Sequence, residues 1–261
     1  MEPAMNPLQH AQLHLDDAGV ATLQIANGTA LNILDTPTIV EMTQALRSLA
    51  RDARLRALVL RGSGEKAFVG GANIHELARL DPDTAVAFIT RLHDLCEAVR
   101  DFPVPTIARL AGWCMGGGME LAAACDIRIG STASHFSMPE VRIGIPSVIH
   151  ANLLARLVGE GRTRWLLLTG AAIDGAQAER WGYLTNCVAP EALDEDVAAT
   201  LREILANGPE SVRAQKALLR AWEAPHLERG LQQSIAVFGQ SYAGGEPAAY
   251  MQHFFDRKRN A

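Results

Sequence analysis

Three consecutive glycines at positions 116–118 stand between a strand-like and a helix-like segment, and Glu120 follows them closely. Residues 106–111 have the apolar character of a short buried strand, and a helical pattern runs over residues 119–125. Glycines let another molecule approach the backbone closely, and a helix start leaves N–H groups free to attract negative charge. The sequence therefore predicts a strand-to-helix turn that faces a ligand, with Glu120 in the first helical turn.

Strand-like and helix-like stretches alternate on either side of this turn. Val20–Ile25 and residues 55–61 have strand patterns, and the helix between them begins at Thr36 with proline in its first turn. A second helix is predicted over residues 84–100, and a further strand over 127–129. Three helices are predicted in the tail, over residues 193–206, 210–222 and 227–242. The alternation, which gives way to helices from about Glu191, predicts an α/β core that ends in a helical tail.

Composition excludes several classes of protein. With 261 residues, of which 48% are hydrophobic, the chain can bury one substantial core or a core plus a small satellite domain. Its net charge of −5 gives no reason to expect nucleic acid. No segment reaches the about 18 apolar residues of a membrane helix, and no leader pattern opens the chain. The four cysteines, 96, 114, 125 and 187, have no paired spacing, and the histidines show no metal-ligand spacing. We expect a cytoplasmic protein without metal and without a membrane partner.

A second glycine-bearing turn, Gly70-Gly71-Ala72-Asn73, follows the strand that ends at Arg61. The dinucleotide, P-loop and nucleophile-elbow motifs are absent from the sequence. Two turns that each present a free backbone N–H could together hold an oxygen atom that gains charge in a transition state. The alternative is that both are ordinary tight turns.

Several segments together resemble the crotonase (enoyl-CoA hydratase/isomerase) superfamily. They are residues 65–74, residues 114–121, Cys125-Asp126-Ile127, Ala30-Leu31-Asn32, Met138-Pro139-Glu140 and Leu168-Thr169-Gly170. The resemblance extends from about residue 11 to the last helix. It implies a crotonase-like core domain over residues 1–195, a spiral of strand-strand-helix units, and a helical C-terminal oligomerisation region over residues 196–261. It also implies a homotrimer or dimer of trimers. Apolar residues of the tail favour such an assembly: Leu227, Leu231, Ile235, Phe238, Tyr250, Phe254 and Phe255. Their folding back onto the same chain is the alternative.

The resemblance also implies an acyl-CoA thioester as substrate, with no cofactor beyond the coenzyme A that the substrate carries. The backbone N–H groups of Ala72 and Gly117 would form the oxyanion hole for the thioester oxygen. The residues expected to line the substrate are Ala30, Lys66, Ala72, Asn73, Ile74, His75, Gly116, Gly117, Pro139 and Ser147.

The two carboxylates that hydratases of this superfamily use correspond to Glu120 and Glu140. We assign Glu120 as the base toward water and Glu140 as the acid toward the α-carbon, since carboxyls in different protonation states can perform both steps. The structural alternatives are a carboxylate that only favours the helix dipole for Glu120, and a local ion pair with Arg142 for Glu140.

Three departures from the superfamily pattern bear on the reaction. Asn73 stands where aspartate is usual, which leaves the backbone N–H groups unchanged. The loop after Glu140 is one residue shorter than usual, with Ser147 in place of a glycine. Val148, Ile149 and His150 replace small residues, and we interpret His150 as a helix-surface histidine, with substrate contact as the alternative.

The leading hypothesis is an enoyl-CoA hydratase that adds water reversibly in a syn manner. The alternatives are an isomerase, a decarboxylase, a thioester hydrolase or a catalytically silent acyl-CoA-binding scaffold.

Overall fold

In the part of the chain that the structure describes, ten strands in two sheets form the framework of the fold. The computed structural model describes residues 8–80 and 82–223. The strands are β1 (Ala11–Leu15), β2 (Val20–Ile25), β3 (Ala57–Gly62), β4 (Ala67–Val69), β5 (Thr106–Leu110), β6 (Trp113–Met115), β7 (Ile127–Ser131), β8 (His135–Ser137), β9 (Ala172–Asp174) and β10 (Asn186–Val188). One sheet has the order β1-β2-β3-β5-β7-β10, and the other has the order β4-β6-β8-β9. Only the pairs β1–β2 and β8–β9 are antiparallel in this part of the chain.

Helices connect most of the parallel strands. They are α1 (Thr36–Leu49), α2 (Ile74–Leu77), α3 (Pro82–Arg100), α4 (Gly117–Ala123), α5 (Leu154–Val158), α6 (Glu160–Thr169), α7 (Gly175–Trp181), α8 (Leu193–Leu205) and α9 (Pro209–Trp222). Three short 3-10 helices cover Glu140–Ile143, Ile149–Leu153 and Pro190–Ala192. The predicted mixed α/β class is confirmed.

Local sequence explains the start of α1. The side chain of Asp35 accepts a hydrogen bond from the backbone N–H of Thr38, and proline occupies the first turn. Both features stabilise a helix start, because the first N–H groups have no partner within the helix. The helix then buries Ile39, Met42 and Leu46 in the core.

The central strands of the six-stranded sheet are buried on both faces. Every residue of β5 is buried, as is typical of a parallel strand covered by helices on both sides. On one face, Leu193 and Val197 of α8 pack with Val59, Ile107 and Ile129. The amino-terminal part of α8, the first of the predicted tail helices, therefore packs into the core.

Element boundaries differ slightly from the prediction. The third strand of the chain covers Ala57–Gly62 rather than residues 55–61, and α3 begins at Pro82 rather than at residue 84. Helix α4 begins at Gly117, so two of the three glycines belong to the helix itself. The predicted helix over 227–242 and the apolar tail residues lie outside the described residues. Within the described ranges, no helix is both long enough and apolar enough to cross a bilayer.

Candidate active site

The two glycine-bearing turns lie side by side at one edge of the smaller sheet. Strands β4 and β6 are parallel neighbours, with Val69 paired to Cys114, and each turn directly follows its strand. A methyl group placed on Gly71 would lie 3.6 Å from the carbonyl oxygen of Met115. The convergence of the turns that the sequence predicted therefore exists in the structure.

Each turn contains a backbone N–H that is available to a ligand, that of Ala72 in the first and that of Gly117 in the second. Gly70 and Asn73 donate to the carbonyls of Leu31 (2.7 Å) and Leu34 (2.8 Å), whereas no hydrogen bond found in the described loops uses the N–H of Ala72. Gly117 is the first residue of α4, so its N–H has no carbonyl one helical turn before it. Two such donors at adjacent turns are what an oxyanion hole requires. The roles of Ala72 and Gly117 stay predictions.

Glu140 lies directly against Gly116, the residue that precedes α4. Gly116 has φ +51°, a conformation that favours glycine, and a methyl group there would lie 2.3 Å from Oε1 of Glu140. Glu120 is in the first turn of the same helix, as predicted. Both glutamates therefore lie at the amino-terminal end of α4.

Glu120 is buried, with 4% of its surface exposed, and its Oε1 accepts a hydrogen bond of 2.9 Å from the backbone N–H of Ala151. Burial raises the pKa of Glu120 to about 8; the Ala151 hydrogen bond opposes this rise, and the charge of Glu140 adds to it. The carboxyl is therefore protonated in most molecules at neutral pH.

Glu140 is half-buried at the start of its 3-10 helix, and its Oε2 accepts a hydrogen bond of 2.8 Å from the hydroxyl of Ser147. Burial raises its pKa, against hydrogen bonds from its own backbone N–H and from Ser147. Burial is thus the first cause of the raised pKa of both carboxyls, and the charge of Glu140 raises the pKa of Glu120 further, so the two groups titrate as a coupled pair.

The ion pair considered as the alternative role of Glu140 is not found among the described residues. The Nε–H of Arg142 instead donates to the carbonyl oxygen of Thr169 at 3.3 Å. This leaves the Glu140 carboxyl to face Gly116 and Ser147.

The other predicted substrate contacts differ in their hydrogen bonds and in how far they are exposed. Asn73 is the N-cap of α2, and its Oδ1 accepts hydrogen bonds from the N–H groups of His75 (3.0 Å) and Glu76 (3.3 Å). Asn73 therefore stabilises the turn after Ala72 as an N-cap aspartate would, but without a negative charge. Pro139 is half-buried, whereas the exposed residues of the set are Ala30, Lys66, Ile74 and His75.

The interpretation of His150 as a helix-surface histidine is wrong. Its side chain is 3% exposed, because the ring packs against α3 and its Nε2 forms a 2.7 Å hydrogen bond with Oε1 of Glu97. A single histidine among apolar residues gives no sign of such a partner 53 positions away.

His93, Glu97 and His150 together have the composition of a metal site, with ligand atoms within 4.8 Å of one another. The two oxygens of Glu97, however, already accept hydrogen bonds from the guanidinium groups of Arg100 and Arg220. A cation would therefore face two fixed positive charges. The expectation that the protein uses no metal remains a prediction.

Two residues at the site were not identified from the sequence. Ala151 contributes only its backbone N–H to Glu120, and Leu92 lies 2.9 Å from where a methyl group on Gly117 would be. Neither has a distinctive side chain or spacing, so only the three-dimensional arrangement shows them.

The fold and the site define an α/β protein with two carboxyls beside a pair of free backbone N–H groups. The family model described as "Enoyl-CoA hydratase/isomerase" matches residues 16–260, and the chain belongs to this family. The chain is 31% identical over 241 residues to a protein of Syntrophomonas wolfei named "Crotonyl-CoA hydratase", covering 92% of this chain and 93% of that one.

Solved structures agree with this assignment and confirm the crotonase-type fold. The structure of an enoyl-CoA hydratase from Bacillus anthracis superposes with a TM-score of 0.89 at 26% identity, covering 95% of this chain and 97% of that one. DspI of Pseudomonas aeruginosa superposes with a TM-score of 0.91 at 25% identity, covering 97% of both chains.

Proposed function

We propose that this protein is an enoyl-CoA hydratase, which adds water reversibly across the double bond of a 2-enoyl-CoA thioester. The observation that carries the proposal is the packing of the Glu140 carboxyl against Gly116, at the start of the helix whose first turn bears Glu120. Hydration needs two proton-transferring groups near one polarised thioester, whereas a double-bond isomerisation needs one base. Retention of both carboxyls therefore favours hydration.

The reaction would proceed as follows. The N–H groups of Ala72 and Gly117 donate to the thioester oxygen and stabilise the enolate that forms when water attacks the β-carbon. Glu120 takes the proton from the attacking water, and Glu140 delivers a proton to the α-carbon. Because burial raises the pKa of Glu120, this carboxyl must lose its proton before it can act as the base.

Product mass tests the reaction. A panel of short, branched and aromatic 2-enoyl-CoA thioesters is mixed with the protein, and the products are analysed by mass spectrometry. We expect a gain of one water that the Glu120→Gln and Glu140→Gln variants lose and the exposed Glu160→Gln variant keeps. Products of unchanged mass with a moved double bond would favour the isomerase, and loss of carbon dioxide or of coenzyme A would favour the decarboxylase or the hydrolase. Binding of coenzyme A thioesters without turnover would favour the silent scaffold.

Hydrogen exchange tests the two carboxylate roles separately. A saturated thioester such as butyryl-CoA exchanges its α-proton in D₂O if one carboxyl faces the α-carbon, and no water addition is needed. We expect Glu120→Gln to retain this exchange and Glu140→Gln to lose it. The opposite result would reverse the two roles.

The assembly and the compartment belong to the same proposal. Trp165 and Leu168 on α6 are exposed, the latter at 76%, which supports burial against another subunit in a homotrimer or dimer of trimers. Light scattering of the purified protein tests the assembly.

Cys96, Cys114, Cys125 and Cys187 are all free thiols, which supports a reducing compartment such as the cytoplasm. Fractionation of the cells tests the compartment.

A further inference from the structure

The segment that donates to Glu120 is held in a strained conformation. Ile149, a β-branched residue, has φ +38°, in the left-handed region that β-branched side chains avoid. Such a backbone persists only where surrounding contacts fix it. Two residues later, the N–H of Ala151 donates to Oε1 of Glu120 at 2.9 Å.

His150 lies between the strained residue and the donor, and it connects the segment to α3. Its Nε2 and Oε1 of Glu97 are 2.7 Å apart. Glu97 is itself held from two helices, by Arg100 on α3 and by Arg220 on α9. The strained segment thus has a fixed anchor on α3.

The protonation states of the pair suit this hydrogen bond. Burial raises the pKa of Glu97, but the hydrogen bonds from His150 and Arg100 outweigh it and hold that pKa below its usual value. Burial lowers the pKa of His150. A neutral imidazole beside a carboxylate carries its proton on the nitrogen that faces the carboxylate. Nε2 of His150 therefore donates to Glu97. The buried Nδ1 carries no proton, and it has no hydrogen-bond partner among the described residues.

We propose that His150 is a positioning residue: its hydrogen bond to Glu97 holds the strained segment 148–151, and thereby keeps the Ala151 N–H on the carboxyl of Glu120. The effect on turnover rests on the proposed function, whereas the effect on the Glu120 carboxyl does not. His150 acts through Ala151 and takes no part in the chemistry itself.

Three variants test the proposal. His150→Phe retains a ring of similar size without the donor, His150→Gln retains a side-chain N–H that can reach Glu97, and His93→Phe changes the neighbouring ring, whose centroid is 5.2 Å from that of His150. Carbon-13 NMR of the labelled glutamates, without substrate, measures the titration of Glu120. Glu140 and the Cys96 thiol on α3 are the other titratable groups whose charge couples to Glu120, and none of the variants alters them.

In His150→Phe we expect the pKa of Glu120 to rise by about one unit, because a donor to the ionised carboxylate is lost. We expect kcat to fall about 10-fold or more with KM changed less than about threefold, since a misdirected carboxyl affects the reacting state more than binding. In His150→Gln, the pKa of Glu120 and kcat should return most of the way to the parent values. His93→Phe should leave the pKa of Glu120 and kcat unchanged.

An unchanged Glu120 titration in folded His150→Phe would overturn the proposal, whatever reaction the protein performs. A changed titration without any hydratase activity in the parent would leave the positioning role intact and contradict the proposed function. If His150→Phe does not fold, Glu97→Met tests the same anchor from the other side, because it removes the acceptor of the His150 hydrogen bond and leaves the strained residue in place. A folded Glu97→Met variant with an unchanged Glu120 titration also overturns the proposal.

Discussion

The hydroxyl of Ser147 donates a hydrogen bond of 2.8 Å to Oε2 of Glu140, seven residues earlier in the chain. The sequence predicted Ser147 as a substrate contact in a loop shorter than the superfamily pattern. In the structure the serine hydroxyl reaches back across the loop to a predicted catalytic carboxyl, and its contact with substrate stays a prediction. The other oxygen of that carboxyl lies against Gly116, so Glu140 is fixed on both sides.

Removing the hydroxyl in Ser147→Ala should raise the pKa of Glu140 further. The bond stabilises the ionised carboxylate, so its loss favours the protonated form. We expect kcat/KM to fall about 10-fold, corresponding to about 1.4 kcal/mol, and the pH–rate limb governed by Glu140 to move to higher pH. Ser147→Thr retains the hydroxyl and serves as the control. An Ala variant with the parent's pH profile would show that the hydrogen bond does not tune Glu140.

Gly116→Ala should abolish most activity by displacing Glu140. The added methyl would meet the carboxylate at 2.3 Å, and the residue has φ +51°. We expect a loss of at least about 100-fold in kcat and of about 2 kcal/mol in the free energy of unfolding. Gly64→Ala is the matched control, since Gly64 has φ +69° but no atom within 4 Å of the added methyl. Equal losses of activity in both variants would attribute the effect to backbone strain alone.

Glu120→Gln should stabilise the protein at alkaline pH. The folded-state pKa of about 8 lies above the ordinary value of 4.5, so the folded protein binds more protons than the unfolded chain between these values. Stability of the parent therefore falls as pH rises through this window, and the glutamine variant avoids that loss. We expect the variant to be about 1 to 3 kcal/mol more stable than the parent at pH 8 and similar at pH 4. Urea unfolding at both values measures the difference, and Glu160→Gln should show none.

Sequence patterns were sufficient for the long elements and insufficient for the short ones. Val20–Ile25 and α1 follow their hydrophobic periodicity and capping residues closely, because each period is repeated several times. Strands β4, β6 and β8 have three residues each, too few to show a period, and their positions follow from pairing with one another. Yet these are the strands that bring the two glycine-bearing turns together.

The sequence identified the two candidate catalytic glutamates, but it did not identify the residues that hold them in place. Glu120 and Glu140 stand at recognisable positions of the family pattern. The contacts that fix them come from Ala151, Ser147 and the pair His150–Glu97, whose spacing along the chain depends on the packing of the loop 140–153. A backbone donor has no sequence signature, and a buried histidine cannot be distinguished from an exposed one without the burial of its neighbours.

The last described helix, α9, is attached to the core by an ion pair whose lysine is buried. Nζ of Lys216 lies 2.5 Å from Oδ2 of Asp126, and the lysine is 7% exposed. The same oxygen accepts hydrogen bonds from the backbone N–H and the hydroxyl of Thr106. Removing the cation would leave the Asp126 carboxylate, whose side chain is 27% exposed, without its counter-charge.

Lys216→Met should therefore lower the free energy of unfolding by about 1 to 3 kcal/mol, less than the full cost of breaking a completely buried pair because Asp126 retains some contact with water. Amide hydrogen exchange should increase first in α9, since that helix loses its anchor. Arg202→Met breaks the exposed pair with Glu195 and should cost less than about 0.5 kcal/mol. The double variant with Asp126→Asn should lose less than the sum of the two single losses. Additive losses, or equal costs for Lys216→Met and Arg202→Met, would show that the pair contributes no more than a surface ion pair to the docking of α9.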